Sequence, residues 1–372
     1  MTALRPDLQH IADTLGTEIL RPNALIWEQA KSTPRSLFQA AGKVGFLSLE
    51  TPTEQGGLGA SFSEKLKLSR ALARHSMSHT FALVNSQNIA ARLASSPVAR
   101  HREDIAPQVR SGQLIGCTAL TEPSAGSDFA AIQTTATRDG DGWVLNGSKA
   151  WITYADKADI FMLYAQTDPE KGWRGIASFL IDASRPGFVR GEPHAVMGGT
   201  GIGAATFSLE DYRLTAEDML SPPGEAFKIA MNSINGARTY VAGMCAGMVE
   251  DALETALAYG RERTTFGTRL IDHQGLGWSL ADVATKLEIL DVLSEKAAGL
   301  IDAGQDAVRS AAIAKKVSGE VTIPAIAACI QSMGANGLLE ENRLGHHMIC
   351  AKISAYTDGT TEMMNERIAS YF

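Results

Sequence analysis

The spacing of apolar residues changes twice along this 372-residue chain, and that change limits the possible folds more than any other feature. From about residue 5 to 115 apolar side chains recur every three or four positions, as in Leu66, Leu68, Leu72 and Ala73, the period of a helix with one buried face. A proline- and glycine-containing stretch, ETPTEQGGLGAS (50–61), interrupts it and reads as a loop between helices. From about 116 to 215 short alternating runs take over. TTATRDGDGWVLNGSKAWIT holds an Asp-Gly-Asp-Gly turn between two alternating segments, the signature of a hairpin. ADIFMLYAQT, GIASFLIDA and AATFSLEDYRL are further strands. Helical spacing returns from Ala226, in stretches of 20 or more residues rich in Ala, Leu, Glu and Lys, which are long enough for a bundle. The pattern predicts an α+β chain: an N-terminal helical domain (1–115), a middle β-barrel or sandwich domain (116–218) and a C-terminal four-helix bundle (219–372).

Composition excludes several classes of function. The net charge is −7 and no basic cluster occurs, so nucleic acid is not expected as a partner, because duplex affinity rests mainly on phosphate neutralisation. No window approaches 18 uninterrupted apolar residues, and the N terminus lacks a basic stretch followed by an apolar core. Cys117, Cys245, Cys329 and Cys350 lie far apart, so neither a disulfide framework nor a cysteine zinc site is expected. These features predict a soluble cytoplasmic protein without a membrane span. GGTGIGA (198–204) imitates a dinucleotide fingerprint, but strand-like sequence follows it and no βαβ unit surrounds it. His346, His347 and Cys350 imitate a metal cluster on a helix. Adjacent histidines point apart and no acidic neighbour joins them, so no metal is expected.

Five segments could carry chemistry. CTALTEPSAGSD (117–128) surrounds one proline with small residues and hydroxyls, which lets backbone N–H groups come close to a planar polar ligand. NGSKAWIT (146–153) sets Trp151 and Thr153 close together in a strand, where an ordinary core tryptophan is the plainer reading. RERTTFGTRLIDHQ (261–274) is a helix end, a glycine turn and a new helix. QSMGANG (331–337) and AYTDGTTEM (355–363) each break helical sequence at glycine, and an aspartate in such a turn is more often a cap than a catalyst.

Together with TPTEQGGLG (51–59), these segments resemble the acyl-CoA dehydrogenase family, in the family's order and over nearly the whole chain. The resemblance implies noncovalent FAD and dehydrogenation between carbons α and β of an acyl thioester. It implies that Thr121 bonds near the flavin N5, with the backbone of Ala119 and Leu120 at the pyrimidine edge. Ser127 stands near the pyrophosphate and the pantetheine arm, while Trp151 and Thr153 pack on the flavin and bond it. Arg263, Phe266, Gln274, Gln331 and Gly334 match the positions that hold the adenine and pyrophosphate half. Several of these come from a neighbouring subunit in the family, which implies a homodimer or homotetramer. Thr360 and Glu362 match the last flavin contacts. Arg238 matches the substrate-channel arginine, with Asn235 in place of a more usual acid and Gly359 beside the thioester. The carrier is coenzyme A or an acyl-carrier protein, and the implied electron acceptor is an electron-transfer flavoprotein.

Asp358 is the departure from the family pattern. The usual base there is glutamate, and an aspartate's oxygens retreat by roughly 1.3–1.5 Å, about one bond length. A displacement of that order costs about 100-fold in rate when nothing compensates. The other place where the family puts a base is the residue before Arg238, and here it is Ala237. Asp358 therefore permits three readings: a true base, the base of a nitroalkane-oxidase-like flavoenzyme, or a turn residue in a diverged or non-catalytic flavoprotein. Small residues near 80–100 and 226–245 (Ala82, Ser86, Ala90, Ala91, Ser233, Gly236, Ala237) line part of the implied channel.

Overall fold

The computed structural model describes residues 4–372. Helices α1 (Pro6–Ile11) and α2 (Arg21–Gln29) are joined by a π-helical stretch, Ala12–Leu20, and α3 (Arg35–Lys43), α4 (Phe62–Ala94) and α5 (Ala106–Arg110) follow. The start of α4 is written locally. The Ser61 hydroxyl accepts the Glu64 N–H and the Glu64 carboxylate accepts the Ser61 N–H, which satisfies two donors that a helix end otherwise leaves open. Leu66, Leu68, Leu72 and Ala73 are all fully buried, as their spacing predicts. The backbone of α4 breaks at Ser76 (φ −166°, ψ 112°), whose hydroxyl lies 2.7 Å from Nδ1 of His79.

One eight-stranded sheet follows: β1 (Gly116–Ala119), β2 (Thr135–Asp139), β3 (Gly142–Ile152), β4 (Ile160–Gln166), β5 (Ile176–Asp182), β6 (Phe188–Pro193), β7 (Ala205–Leu214) and β8 (Met219–Ser221). Its order is β6-β7-β3-β2-β4-β5-β8, with β1 parallel to β4. The Asp-Gly-Asp-Gly sequence closes the β2–β3 hairpin at the Asp139–Gly142 pair, and Gly140 takes the positive φ (+58°) that the turn requires. GGTGIGA forms the β6–β7 connection, not a nucleotide loop. Built β-carbons at Gly198 and Gly199 meet Ile349 and Ile353, so these glycines let the β-domain seat against the helix that leads to Asp358. Strands β1, β6 and β8 carry no clear alternation. β6 is at best half-buried along its length, and β8 has only three residues.

The C-terminal part consists of α6 (Ala226–Glu262), α7 (Gln274–Asp302), α8 (Val308–Met333), α9 (Leu344–Ser354) and α10 (Thr361–Ala369), with a two-residue-strand hairpin, β9 (Thr264–Thr265) and β10 (Thr268–Arg269), between α6 and α7. Helices α6, α7 and α8 pack on one another, α9 and α10 lie against α8, and α4 lies along α6. Gly243 and Gly247 make that last contact possible. A β-carbon at either would stand 2.4 Å from Leu66 or 2.2 Å from the Arg70 carbonyl. Arg70 then ties α4 to both neighbours, through Asp291 (2.7 Å) and Glu250 (2.9 Å).

One expectation needs correction, and one apolar helix needs placing. A helical stretch at Val308–Leu338 is apolar and long enough to cross a membrane by length and composition, although no uninterrupted apolar run marks it. In the fold it packs against α6, α7, α9 and α10 and carries the fully buried Lys315, as a bundle helix does. His346 and His347 do point apart, but each has an acidic neighbour that the linear sequence hides. His347 Nε2 lies 3.0 Å from Asp251, and His346 lies 4.0 Å from Glu28. Among the described residues no three metal-binding side chains converge. All four cysteines are free and buried.

Candidate active site

Glu122 organises the TEPSAGSD segment. Its carboxylate accepts the N–H groups of Gln133 (2.6 Å) and Thr134 (3.0 Å) and pairs with Lys149 at 2.8 Å, both side chains being almost wholly buried. Burial draws the Lys149 ammonium down to about 8 against the pull of Glu122. Lys149 also donates to the Leu120 carbonyl, and the Ala150 N–H donates to the Thr121 carbonyl. The TEP and NGSK segments are thus fastened together, and Thr121, half-buried, is fixed between these bonds. Sequence reading named both segments but not the Glu122–Lys149 pair, which two buried charges 27 positions apart announce only in three dimensions.

Trp151 is not a core aromatic. It is 59% exposed, has a positive φ (+58°), and stacks on His194 with ring centroids 4.1 Å apart. The β3–β7 register shifts between Lys149 and Ile152, and such a bulge re-aims the side chain it carries. Thr153 lies just past the strand end and is buried, whereas Ser127 is exposed on the loop before Phe129.

The third group is at the start of the bundle. Asp358 sits in the turn between α9 and α10 with φ +56°, a left-handed conformation uncommon for a non-glycine residue, and Gly359 follows at +104°. A β-carbon on Gly359 would meet Met364 at 2.9 Å. Thr360, not Asp358, caps α10, accepting the Met363 N–H. Arg238 donates through Nε to the Asp358 carbonyl (3.0 Å) and through Nη1 to the Asn235 side-chain oxygen (2.8 Å), so the arginine holds the turn while Asn235 holds the arginine. Fully buried Lys315 reaches the Gly359 carbonyl at 3.4 Å. The Asp358 atom Oδ2 is buried and has no hydrogen-bond partner. Burial raises the Asp358 carboxyl to about 6, with Lys315 and then Arg238 pulling the other way. Lys315 escaped sequence reading because nothing but tertiary packing brings it to Asp358.

Three domain models match in sequence order: the N-terminal (7–113), middle (117–212) and C-terminal (224–371) domains of acyl-CoA dehydrogenases. The chain belongs to the acyl-CoA dehydrogenase family. It is 32% identical over 344 residues to the human mitochondrial short-chain specific acyl-CoA dehydrogenase, covering 91% of this chain and 82% of that one. It is 30% identical over 337 residues to subunit CarC of the caffeyl-CoA reductase–Etf complex of Acetobacterium woodii, covering 90% and 89%. The structure of butyryl-CoA dehydrogenase from Megasphaera elsdenii superposes with a TM-score of 0.94 at 29% identity, covering 100% and 99%.

The residues of the C-terminal helices assigned from the family resemblance fall into two groups in space. Asn235, Arg238, Asp358, Gly359 and Thr360 meet around one turn, and Glu362 is exposed on the first turn of α10. Arg263, Phe266 and Gln274 lie at the other end of α6. Twenty-five residues separate Arg238 from Arg263 along one helix and its cap, about 37 Å at 1.5 Å per residue. Gln331 and Gly334 stand at that far end too, where Asn336 bonds the Tyr259 hydroxyl (3.0 Å). There Phe266 is 99% exposed at the tip of the β9–β10 hairpin, and nothing lies within 4 Å of a β-carbon built on Gly334. An exposed indole face at one end, and a fully exposed phenylalanine and an open glycine at the other, each leave surface free for part of a flat, extended cofactor. Of the small residues expected in the channel, Ala91, Ser233 and Gly236 line a cleft between α4 and α6, while Ala82, Ser86 and Ala90 are buried outright.

Proposed function

We propose that this protein is an FAD-dependent oxidoreductase that removes hydrogens from carbons α and β of an acyl thioester, with Asp358 as the base that takes the α-proton. The observation that carries the reading is the Asp358 carboxylate itself: one oxygen buried without a partner, on a backbone held in a left-handed turn, its pKa raised to about 6. A spare carboxylate with a perturbed pKa, within the electrostatic reach of two cations, is what proton abstraction near neutral pH needs. At pH 7 it is ionised and can accept a proton. Arg238 and Lys315 keep it from being pushed higher by burial. FAD, when bound, supplies the hydride acceptor that no side chain can provide. Thr121, Trp151, Thr153 and Thr360 hold its flavin end, with the backbone of Ala119 and Leu120 beside them. The Asp358 N–H is the donor toward the thioester oxygen, and it is unchanged by any substitution at the side chain.

The length of α6 bears on assembly. Arg263, Phe266, Gln274, Gln331 and Gly334 lie too far from Asp358 to serve the same cofactor within one copy, so a second copy supplies them, as a homodimer or homotetramer. In this reading 1–115, 116–218 and 219–372 are the three domains, with Ser127 on the pantetheine arm, coenzyme A or an acyl-carrier protein as carrier, and an electron-transfer flavoprotein as acceptor. Purified protein should be yellow and should bleach anaerobically with acyl-CoA. Asp358→Asn should keep the colour and lose the bleaching. Bleaching by nitroalkane anions and by no acyl thioester would move the assignment to the nitroalkane-oxidase chemistry that an aspartate base also permits.

A further inference from the structure

The cleft between α4 and α6 has a volume of about 280 Å³ and opens to solvent. Its lining sets polar groups among the apolar surfaces of Phe62, Ala91 and Ile301. Six of its ten lining residues have polar side chains, and one is the ammonium of Lys65, a residue 2% exposed. Lys65 donates to Glu50 and to Asn88, both at 2.5 Å, and lies over the rings of Phe62 (5.6 Å) and Tyr240 (5.3 Å). Tyr240 is the cleft residue nearest the chemistry, within the electrostatic reach of Asp358. Asn232, Ser233, Gly236 and Tyr240 share one face of α6, whereas Arg238, about 200° round the helix from Gly236, holds Asp358 from the other face. Tyr240 lies within electrostatic reach of both Asp358 and Glu50, whose charges join burial in holding its phenol protonated.

An apolar acyl chain in this cleft would displace water from the Glu50 and Asn88 oxygens and return no hydrogen bond. A carboxylate would find Lys65 already neutralised by Glu50, and an ammonium would compete with Lys65 for the same oxygens. Only an uncharged group that both donates and accepts leaves the charge balance as it stands. We propose that this cleft receives the acyl group and selects one with an uncharged hydrogen-bonding substituent, a hydroxyl or carboxamide, beyond the β-carbon, with Lys65, Glu50 and Asn88 as the specificity-determining residues. This rests on the acyl-thioester reading above.

The test compares four chain-matched thioesters on the flavin-loaded protein: hexanoyl-CoA, 6-hydroxyhexanoyl-CoA, 6-aminohexanoyl-CoA and adipoyl-CoA. The hydroxyacyl substrate should exceed hexanoyl-CoA in kcat/KM by at least about tenfold, since sites built to bond a hydroxyl discriminate strongly against analogues that lack it. The amino and carboxylate analogues should fall below the hydroxyacyl substrate. In Lys65→Met and Asn88→Leu the hydroxyl preference should shrink to within about threefold, chiefly through KM. Equal or better use of hexanoyl-CoA by the wild-type protein overturns the proposal without touching the acyl-thioester assignment, and so does a first rank for adipoyl-CoA or 6-aminohexanoyl-CoA. The wild-type ranking needs no variant to fold. Reduction by none of the four refutes the acyl-thioester reading, and this inference with it.

Discussion

Removing the Asp358 charge should stabilise the protein while it abolishes the reaction. An unfolded aspartate ionises near 3.8, whereas burial holds the folded carboxyl near 6, so the folded state keeps a proton that the unfolded chain has already lost. Stability from this group therefore falls as pH rises from about 4 to about 6, and above that the full cost is present. Two pKa units at 1.36 kcal/mol each set that cost at about 3 kcal/mol, less whatever solvent reaching the half-buried side chain screens. Asparagine cannot ionise, and its amide places two N–H donors where the protonated acid has a single O–H. Asp358→Asn should raise the melting temperature at pH 7.5 by roughly 2–4 °C, at about 1.3 °C per kcal/mol for an unfolding entropy of about 2.1 cal/mol/K per residue over 372 residues. The gap should close below about pH 4, where both side chains are neutral. The assay is a thermal melt of both proteins at each pH with flavin content matched, beside anaerobic reduction by acyl-CoA. An Asp358→Asn protein that melts at or below the wild-type temperature at pH 7.5, or a gap that persists at pH 4, refutes the claim that a desolvated carboxylate is stored at this turn.

The wild-type reductive rate should rise tenfold per unit at acid pH and level off above about 6, and Lys315→Met should move that limb to higher pH, because the lost cation no longer favours the ionised acid; stopped-flow reduction across pH 5–8 reads it. Glu122→Gln should cost about 3–5 kcal/mol by stranding buried Lys149, and Glu122→Gln with Lys149→Met should recover part of it, read by denaturant melts and flavin retention. Gly359→Ala combines a positive φ with a β-carbon 2.9 Å from Met364, and should lower kcat and cost about 1–3 kcal/mol while leaving the far adenine-side residues untouched. Phe266→Ala should leave the fold of each copy intact, because the ring is 99% exposed, yet weaken subunit association and FAD retention, measured by sedimentation and flavin release.

The α–β–α order was legible because hydrophobic period is a local property. Leu66 through Ala73 announce a helix by their spacing alone, and the Asp-Gly-Asp-Gly turn announces a hairpin, since its backbone conformation favours glycine. The segments holding Thr121, Trp151, Arg263, Gln331 and Asp358 were legible for the same reason: each is a run of neighbouring residues whose order is preserved. What the sequence could not hold was any relation made by packing across long separations. Trp151 was as readable as a core residue as an exposed one, and a register shift in β3 decided for exposure. The acidic partners of His346 and His347 come from Glu28 and Asp251, and Lys315 comes to Asp358 from another helix. Lys65 reads as an ordinary charge on a helix face, yet the fold closes it into a cleft with Glu50 and Asn88. An aspartate in a turn is ordinary in sequence. Only the tertiary structure, by burying one of its oxygens without a partner, gives Asp358 the raised pKa on which the proposed chemistry depends, because desolvation belongs to the packed surroundings and not to the residue.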